Sequence, residues 1–208
     1  VHANSADYAA RLHIRPGDIV YDVGANNGHV TRILATVAKH VFAFEPNKSV
    51  IKPLADDRIP NVTIIEKAVS DVPGFATFYV DNREGVGAVA SSLMPLIGME
   101  GKTLPVRVET TTIDLFSRQS ATVPNLIKID VEGFEPNVIA GAEWVIREYR
   151  PIIIFELWES HWNRFQTMIS QLQKEYHLVK LSNGEAAIPF YDGGQYEGID
   201  DILCLPLR

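Results

Sequence analysis

Asp18 to Thr31 is the stretch that most narrows what this chain can fold into. Ile19 to Val23 is an apolar run broken only by Asp22, the pattern of a buried parallel strand. A turn holding Gly24 and Gly28 follows at once, and then Val30, Ile33, Leu34 and Val37 recur at helical spacing. Strand, tight glycine turn and helix in that order open a nucleotide-type binding unit. Glycines let the backbone turn sharply and approach a ligand, and the free amides at the helix start receive acceptor groups.

The spacing inside the turn separates two kinds of ligand. A dinucleotide fingerprint reads G-x-G-x-x-G, whereas this chain reads Asp22-x-Gly24-x-x-x-Gly28 with Asn26 in the turn. The usual pyrophosphate cradle is missing. An acid just before the turn suits a ligand that is positively charged there, such as a sulfonium or an amino group. A second apolar run, Val41 to Phe44, ends in Glu45, about 20 residues past the first glycine, where such folds place the acceptor of the ribose hydroxyls.

Four strings stand in order along the chain: Asp22-Val23-Gly24-Ala25-Asn26-Asn27-Gly28, Phe44-Glu45-Pro46-Asn47, Ala68-Val69, and Lys128-Ile129-Asp130-Val131-Glu132-Gly133-Phe134-Glu135. Together they resemble the FkbM family of S-adenosylmethionine-dependent methyltransferases, from about Asp18 to Glu156. The resemblance implies an α/β, Rossmann-like class I methyltransferase fold. That fold has a mostly parallel seven-stranded sheet, helices on both faces and an inserted antiparallel strand pair. It also implies S-adenosyl-L-methionine as cofactor and a hydroxyl on a sugar, natural product or small metabolite as acceptor.

Length and composition agree with one domain over residues 1–208. The chain is long enough for a sizeable core, and 46% hydrophobic and 22% charged residues are ordinary for a globular protein. A formal net charge of −7 argues against a nucleic-acid surface. No apolar run reaches the roughly 18 residues of a membrane span, and no signal peptide is recognisable, so the cytoplasm is the expected compartment. The single cysteine, Cys204, excludes an internal disulfide and reads as a small core hydrophobe.

Along the chain, residues 1–17 predict a leading helix that either covers the cofactor or caps the sheet edge. Strands are expected at Ile19–Val23, Val41–Glu45, Asn61–Glu66, Leu126–Asp130, Ile152–Glu156, Leu178–Leu181 and, as an edge strand, Asp200–Leu207. Phe75–Val80 and Leu104–Thr112 read as the antiparallel pair, and residues 81–102 between them, rich in Gly, Ala and Ser, as a flap over the acceptor site. Helices are expected at Val30–Ala38, Ser49–Leu54, from Ile113, at Phe134–Tyr149 and at His161–Tyr176.

In open α/β sheets ligands lie at the carboxyl ends of the strands, and Asp22, Glu45, Asp130 and Glu156 fall at or near such ends. With the resemblance, the expected cofactor contacts are Asp22, Gly24, Ala25, Asn26, Gly28, Glu45, Pro46, Ala68, Val69 and Asp130, with Ser70 or Asp71 taking the adenine amino group. Candidates for removing the acceptor proton are Asp130, Glu132, Glu156 and His161, histidine being the side chain best matched to neutral pH. Blander roles compete at each position. Strand-end acids cap helices, Glu135 suits a helix start, His29 and His161 could simply be solvated, and Trp158 and Trp162 could line an acceptor pocket or fill the core. Nothing in the spacing fixes a metal geometry. Two other classes stay open on the residues alone, an NAD-dependent oxidoreductase and a non-catalytic nucleotide-binding module.

Overall fold

Along the chain the elements run β1 (Ile19–Val23), α1 (His29–Ala35), β2 (His40–Phe44), α2 (Lys48–Asp57), β3 (Val62–Ile65), β4 (Ala68–Val69), β5 (Gly74–Asp81), β6 (Thr103–Thr111), α3 (Ile113–Ser120), β7 (Leu126–Ile129), α4 (Glu135–Ala140), α5 (Glu143–Tyr149), β8 (Ile152–Trp158), α6 (Trp162–Leu172), β9 (Tyr176–Ser182), β10 (Ala186–Pro189) and β11 (Ile199–Pro206). The computed structural model describes residues 13–83, 91–95, 99–158, 161–182, 186–189 and 199–207. The expected leading helix therefore lies almost wholly outside the described residues, as do residues 84–90 and 96–98 of the expected flap.

Five strands, β3-β2-β1-β7-β8, pair in parallel, and β11 and β9 extend them antiparallel to make the expected seven-stranded sheet. The short β10 adds an eighth strand outside β9. Alternation along β1 sorts its side chains to two faces. Val20 packs with Val30 and Leu34 of α1 on one face, while Tyr21 and Val23 pack with Ile113, Val138 and Phe165 on the other. Tyr21 is fully buried, and its hydroxyl meets Ser117 Oγ at 3.1 Å and donates to the Thr122 carbonyl at 3.0 Å. That is how a phenol can sit in an apolar layer without leaving a polar atom unpaired.

Three expectations are corrected. Asp200–Leu207 does not form an edge. β11 lies between β8 and β9, and Pro206 is tolerated because it sits past the last β8 partner, pairing only with Tyr176 of β9. The single helix expected over Phe134–Tyr149 is two, α4 and α5. A Cβ on Gly141 would stand 2.1 Å from the carbonyl oxygen of Ser70, the residue after β4, which presses on the chain there. The Asp114 carboxylate then accepts from Trp144 N and Val145 N at 2.9 and 3.0 Å, capping a new helix start. The helix expected at Ser49–Leu54 continues to Asp57, and its Pro53 lies on the exposed side, where the lost hydrogen bond faces solvent.

The antiparallel pair is present as expected: β5 and β6 align from Gly74↔Thr110 to Asp81↔Thr103, with β4 parallel to β6 in a separate three-stranded sheet. Cys204 is buried in the core, and burial raises its thiol pKa. Among the described residues no helix is long and apolar enough to cross a membrane.

Candidate active site

The carboxyl ends of β1, β2 and β7 open onto one cleft. Val23, Gly24 and Asn26 line it from the first turn, Glu45, Pro46, Asn47 and Val50 from the second, and Ala68 and Val69 from β4. Phe78 of β5, the segment Ser91–Leu93 and the run Asp130–Glu132 with Phe134 and Glu156 close its far end. The space it encloses is about 930 Å³ counting the open mouth.

The glycines of the first turn serve the protein's own packing. Gly24 has φ of 80°, and a Cβ there would lie 1.8 Å from the Asp130 carbonyl oxygen. Gly28 has φ of 80°, and its Cβ would fall 2.6 Å from the Leu54 Cβ. Gly24 thus borders the cleft because β1 and β7 touch there, whereas Gly28 is held against α2 and is not a lining residue. Ala25 is also turned away, buried with Ala43, Ile51 and Leu54.

Glu45 is the organising acid of the near end. Its Oε2 accepts from Asn26 N at 3.1 Å and its Oε1 from Asn47 N at 2.8 Å, so one carboxylate ties both turns together. Each oxygen keeps a further acceptor position. Burial raises its pKa to about 7, against the two amide hydrogen bonds, which lower it.

Asp22 stands elsewhere than expected. It is 0% exposed and does not line the cleft; its side chain is on the α1 face of the sheet, where Thr31 Oγ1 donates to Oδ2 at 2.5 Å. Register sets Asp22 beside Lys128, and strand alternation sets Lys128 on the same face as Asp130. Lys128 Nζ lies 3.4 Å from Asp22 Oδ1 and 3.2 Å from Asp130 Oδ2. Burial alone would lower the pKa of this ammonium; Asp130 and Asp22 more than offset it and hold it charged. Asp22 therefore reaches the cleft only through Lys128, which orients Asp130.

At the far end four acids meet. Glu135, buried entirely, accepts from Val131 N at 3.0 Å and Gly133 N at 3.3 Å through Oε1. It is more than a helix-start charge: it grips a turn in which Glu132 adopts φ of 57° and Gly133 φ of 90°. Ser92 Oγ donates to the Val131 carbonyl at 2.9 Å from the other side. Burial, then Asp130, Glu156 and Glu135, raise the Glu132 carboxyl to about 9. Burial, then Asp130, raise Glu156 to about 8 although Trp158 Nε1 donates to it at 2.6 Å.

His161 does not join them in the cleft. It is 8% exposed, its Nδ1 would lie 3.0 Å from a Cβ on Gly133, and its pKa is lowered by burial and then by Arg164. Ser70 and Asp71 bond each other at 2.8 Å and are not lining residues, which leaves Ala68 and Val69 as the flat wall. Among the described residues no group of three or more histidine, cysteine or acidic side chains is arranged to hold a metal ion. Sequence reasoning gave no role to Lys128 or Ser92. Lys128 stands two residues before Asp130, a spacing that places both on one face of a strand.

Residues 22–181 match the Methyltransferase FkbM domain. The chain belongs to the FkbM methyltransferase family. It is 29% identical over 141 residues to the hexuronic acid methyltransferase AglP of Haloferax volcanii, covering 66% of this chain and 55% of that protein. It is 30% identical over 163 residues to the 31-O-demethyl-FK506 methyltransferase FkbM of Streptomyces tacrolimicus, covering 64% and 62%. The chain thus spans less than two thirds of either relative. The structure of SMU.1697c from Streptococcus mutans in complex with SAH superposes with a TM-score of 0.55 at 11% identity, over 97% of this chain and 96% of that one; at that identity the likeness is one of fold.

The cofactor of this FkbM domain is S-adenosylmethionine, and the donor set suits it. Glu45 offers acceptors for ribose hydroxyls, Ala68 and Val69 leave room for a flat ring, and the carboxyl groups of Asp130, Glu132 and Glu156 offer oxygen acceptors at the end where a sulfonium and an ammonium would lie.

Proposed function

We propose that this chain transfers a methyl group from S-adenosylmethionine to a hydroxyl of a small-molecule or glycan acceptor, with Glu132 as the base. The cofactor, when bound, supplies a methyl already activated on sulfur, so the protein's tasks are alignment and proton removal; alignment alone can be worth roughly 7–11 kcal/mol of barrier. Glu45 and the turn amides it holds orient the nucleoside end. Lys128 fixes Asp130, whose carboxylate holds the amino-acid end.

The observation that carries the proposal is the state of Glu132. Asp130 is committed to Lys128 and Glu156 to Trp158, whereas no hydrogen bond reaches the Glu132 carboxyl among the described residues, and it lines the cleft. Its raised pKa makes the ionised form a stronger base than an ordinary carboxylate. As the acceptor oxygen bonds to the methyl carbon and the carbon–sulfur bond breaks, Glu132 takes the hydroxyl proton. A net charge of −7 and lysines already ion-paired at the cleft also support a small acceptor over a nucleic-acid strand.

Labelled S-adenosylmethionine incubated with a panel of hydroxyl-bearing sugars and alcohols tests this. The proposal expects label on oxygen, a loss of at least about 10²-fold in Glu132→Gln, and a smaller loss in His161→Ala. Label on nitrogen, or full turnover by Glu132→Gln, would overturn it.

A further inference from the structure

The β5–β6 hairpin carries an apolar strip that the cofactor does not need. Side chains alternate across a pleated pair, so Ala76, Phe78 and Val80 share one face with their register partners Val108, Val106 and Leu104. No polar side chain interrupts those three successive pairs. Phe78 is buried and lines the cleft, while Val106 beside it is 40% exposed and Leu104 is 52% exposed. The strip therefore begins inside the cleft and runs outward from its far end. The opposite face pairs Phe75 with Glu109, Thr77 with Arg107 and Tyr79 with Pro105, with the Arg107 guanidinium 4.1 Å over the Phe75 ring, and none of these residues lines the cleft.

The lack of a free cation among the described residues of the reacting end points the same way. Asp130, Glu132 and Glu156 line it, and Lys128, which could answer an acidic acceptor, is sealed between Asp22 and Asp130. Lys67, at the other end of the cleft, is ion-paired with Glu109 at 2.5 Å. A carboxylate on the acceptor would meet no available cation among the described lining residues.

We infer that the acceptor is an uncharged hydroxyl compound with an apolar body, and that this body lies along the Phe78–Val106–Leu104 face of the hairpin. The inference rests on the methyl-transfer reading and adds a subsite to it. Contiguous exposed apolar side chains that continue a binding cleft mark where a ligand extends. From Ala76 to Val80 the strip is about 13 Å long, enough for a chain of eight carbons or two fused rings.

The test uses methyl, butyl, hexyl and octyl β-D-glucopyranoside as probes, below their micelle concentrations, titrated calorimetrically into the protein saturated with S-adenosylhomocysteine. The expected result is a Kd that tightens about two- to fourfold per added methylene, with octyl β-D-glucuronide at least about tenfold weaker than the glucoside. Leu104→Asp combined with Val106→Asp should flatten the series, and Phe75→Asp on the opposite face should leave it unchanged. A flat series in the unaltered protein, an equal effect of Phe75→Asp, or a glucuronide that binds more tightly would overturn the inference. So would a double variant whose main effect, by sedimentation, is to separate two copies of the chain. Failure of S-adenosylhomocysteine itself to bind would instead remove the methyl-transfer reading on which the inference stands.

Discussion

Lys128 shows how one residue organises a site without touching it. Its buried ammonium is enclosed between the buried Asp22 and the partly exposed Asp130, on one face of the sheet. Replacing such a group leaves its partners charged and uncompensated. Lys128→Met should therefore destabilise the fold by about 3–5 kcal/mol, the usual cost of breaking a buried pair; urea unfolding measures it, and a loss below about 1 kcal/mol would place the triad in contact with water. Asp22 was legible as an important acid, since it interrupts an apolar strand before a glycine turn. Its partner was not, because the pairing depends on the register of β1 against β7, which no local pattern encodes. The same limit applies to Glu135. A carboxylate two residues after a glycine at a helix start reads as a dipole partner, and only the fold shows it buried and holding the Val131–Gly133 turn.

At the scale of elements, the parallel core was readable because each of its strands is a short apolar run ending near an acid or a turn. What escaped reading depends on contacts between distant segments. The helix after Asp130 breaks at Gly141 because the Ser70 carbonyl occupies the space a side chain would need, and it restarts because Asp114 offers its carboxylate to the next turn. An apolar stripe from Val138 to Ile146 gives no sign of either. β11 takes an interior place although it ends in Pro206, since the proline falls where only β9 runs alongside. Within the expected flap, segment 91–95 makes contacts that no local pattern encodes. Ser92 exchanges backbone hydrogen bonds with Tyr79 and reaches Val131, while Arg164, which bonds Asn137 at 3.0 Å, also reaches the Met94 sulfur.

For the whole molecule, the cluster of buried acids makes stability depend on pH with an unusual sign. Glu132 and Glu156 titrate at about 9 and 8 in the fold, and Glu45 and Glu135 at about 7, all above the ordinary value of 4.5. Between 4.5 and those values the folded chain keeps protons that the unfolded chain has released, so stability falls as pH rises through that window. The urea midpoint should be lower at pH 8.5 than at pH 5.5, and Glu132→Gln should narrow the difference. Equal midpoints at the two pH values would show that these carboxyls are ionised in the fold. A cofactor site built around Glu45 in the cleft at the ends of β1, β2 and β7 is tested by titrating S-adenosylhomocysteine into the protein in a calorimeter, with NAD as the comparison ligand. One site for S-adenosylhomocysteine is expected, at least about tenfold weaker in Glu45→Ala, and no binding of NAD. Binding that ignores Glu45→Ala, or binding of NAD in its place, would contradict it.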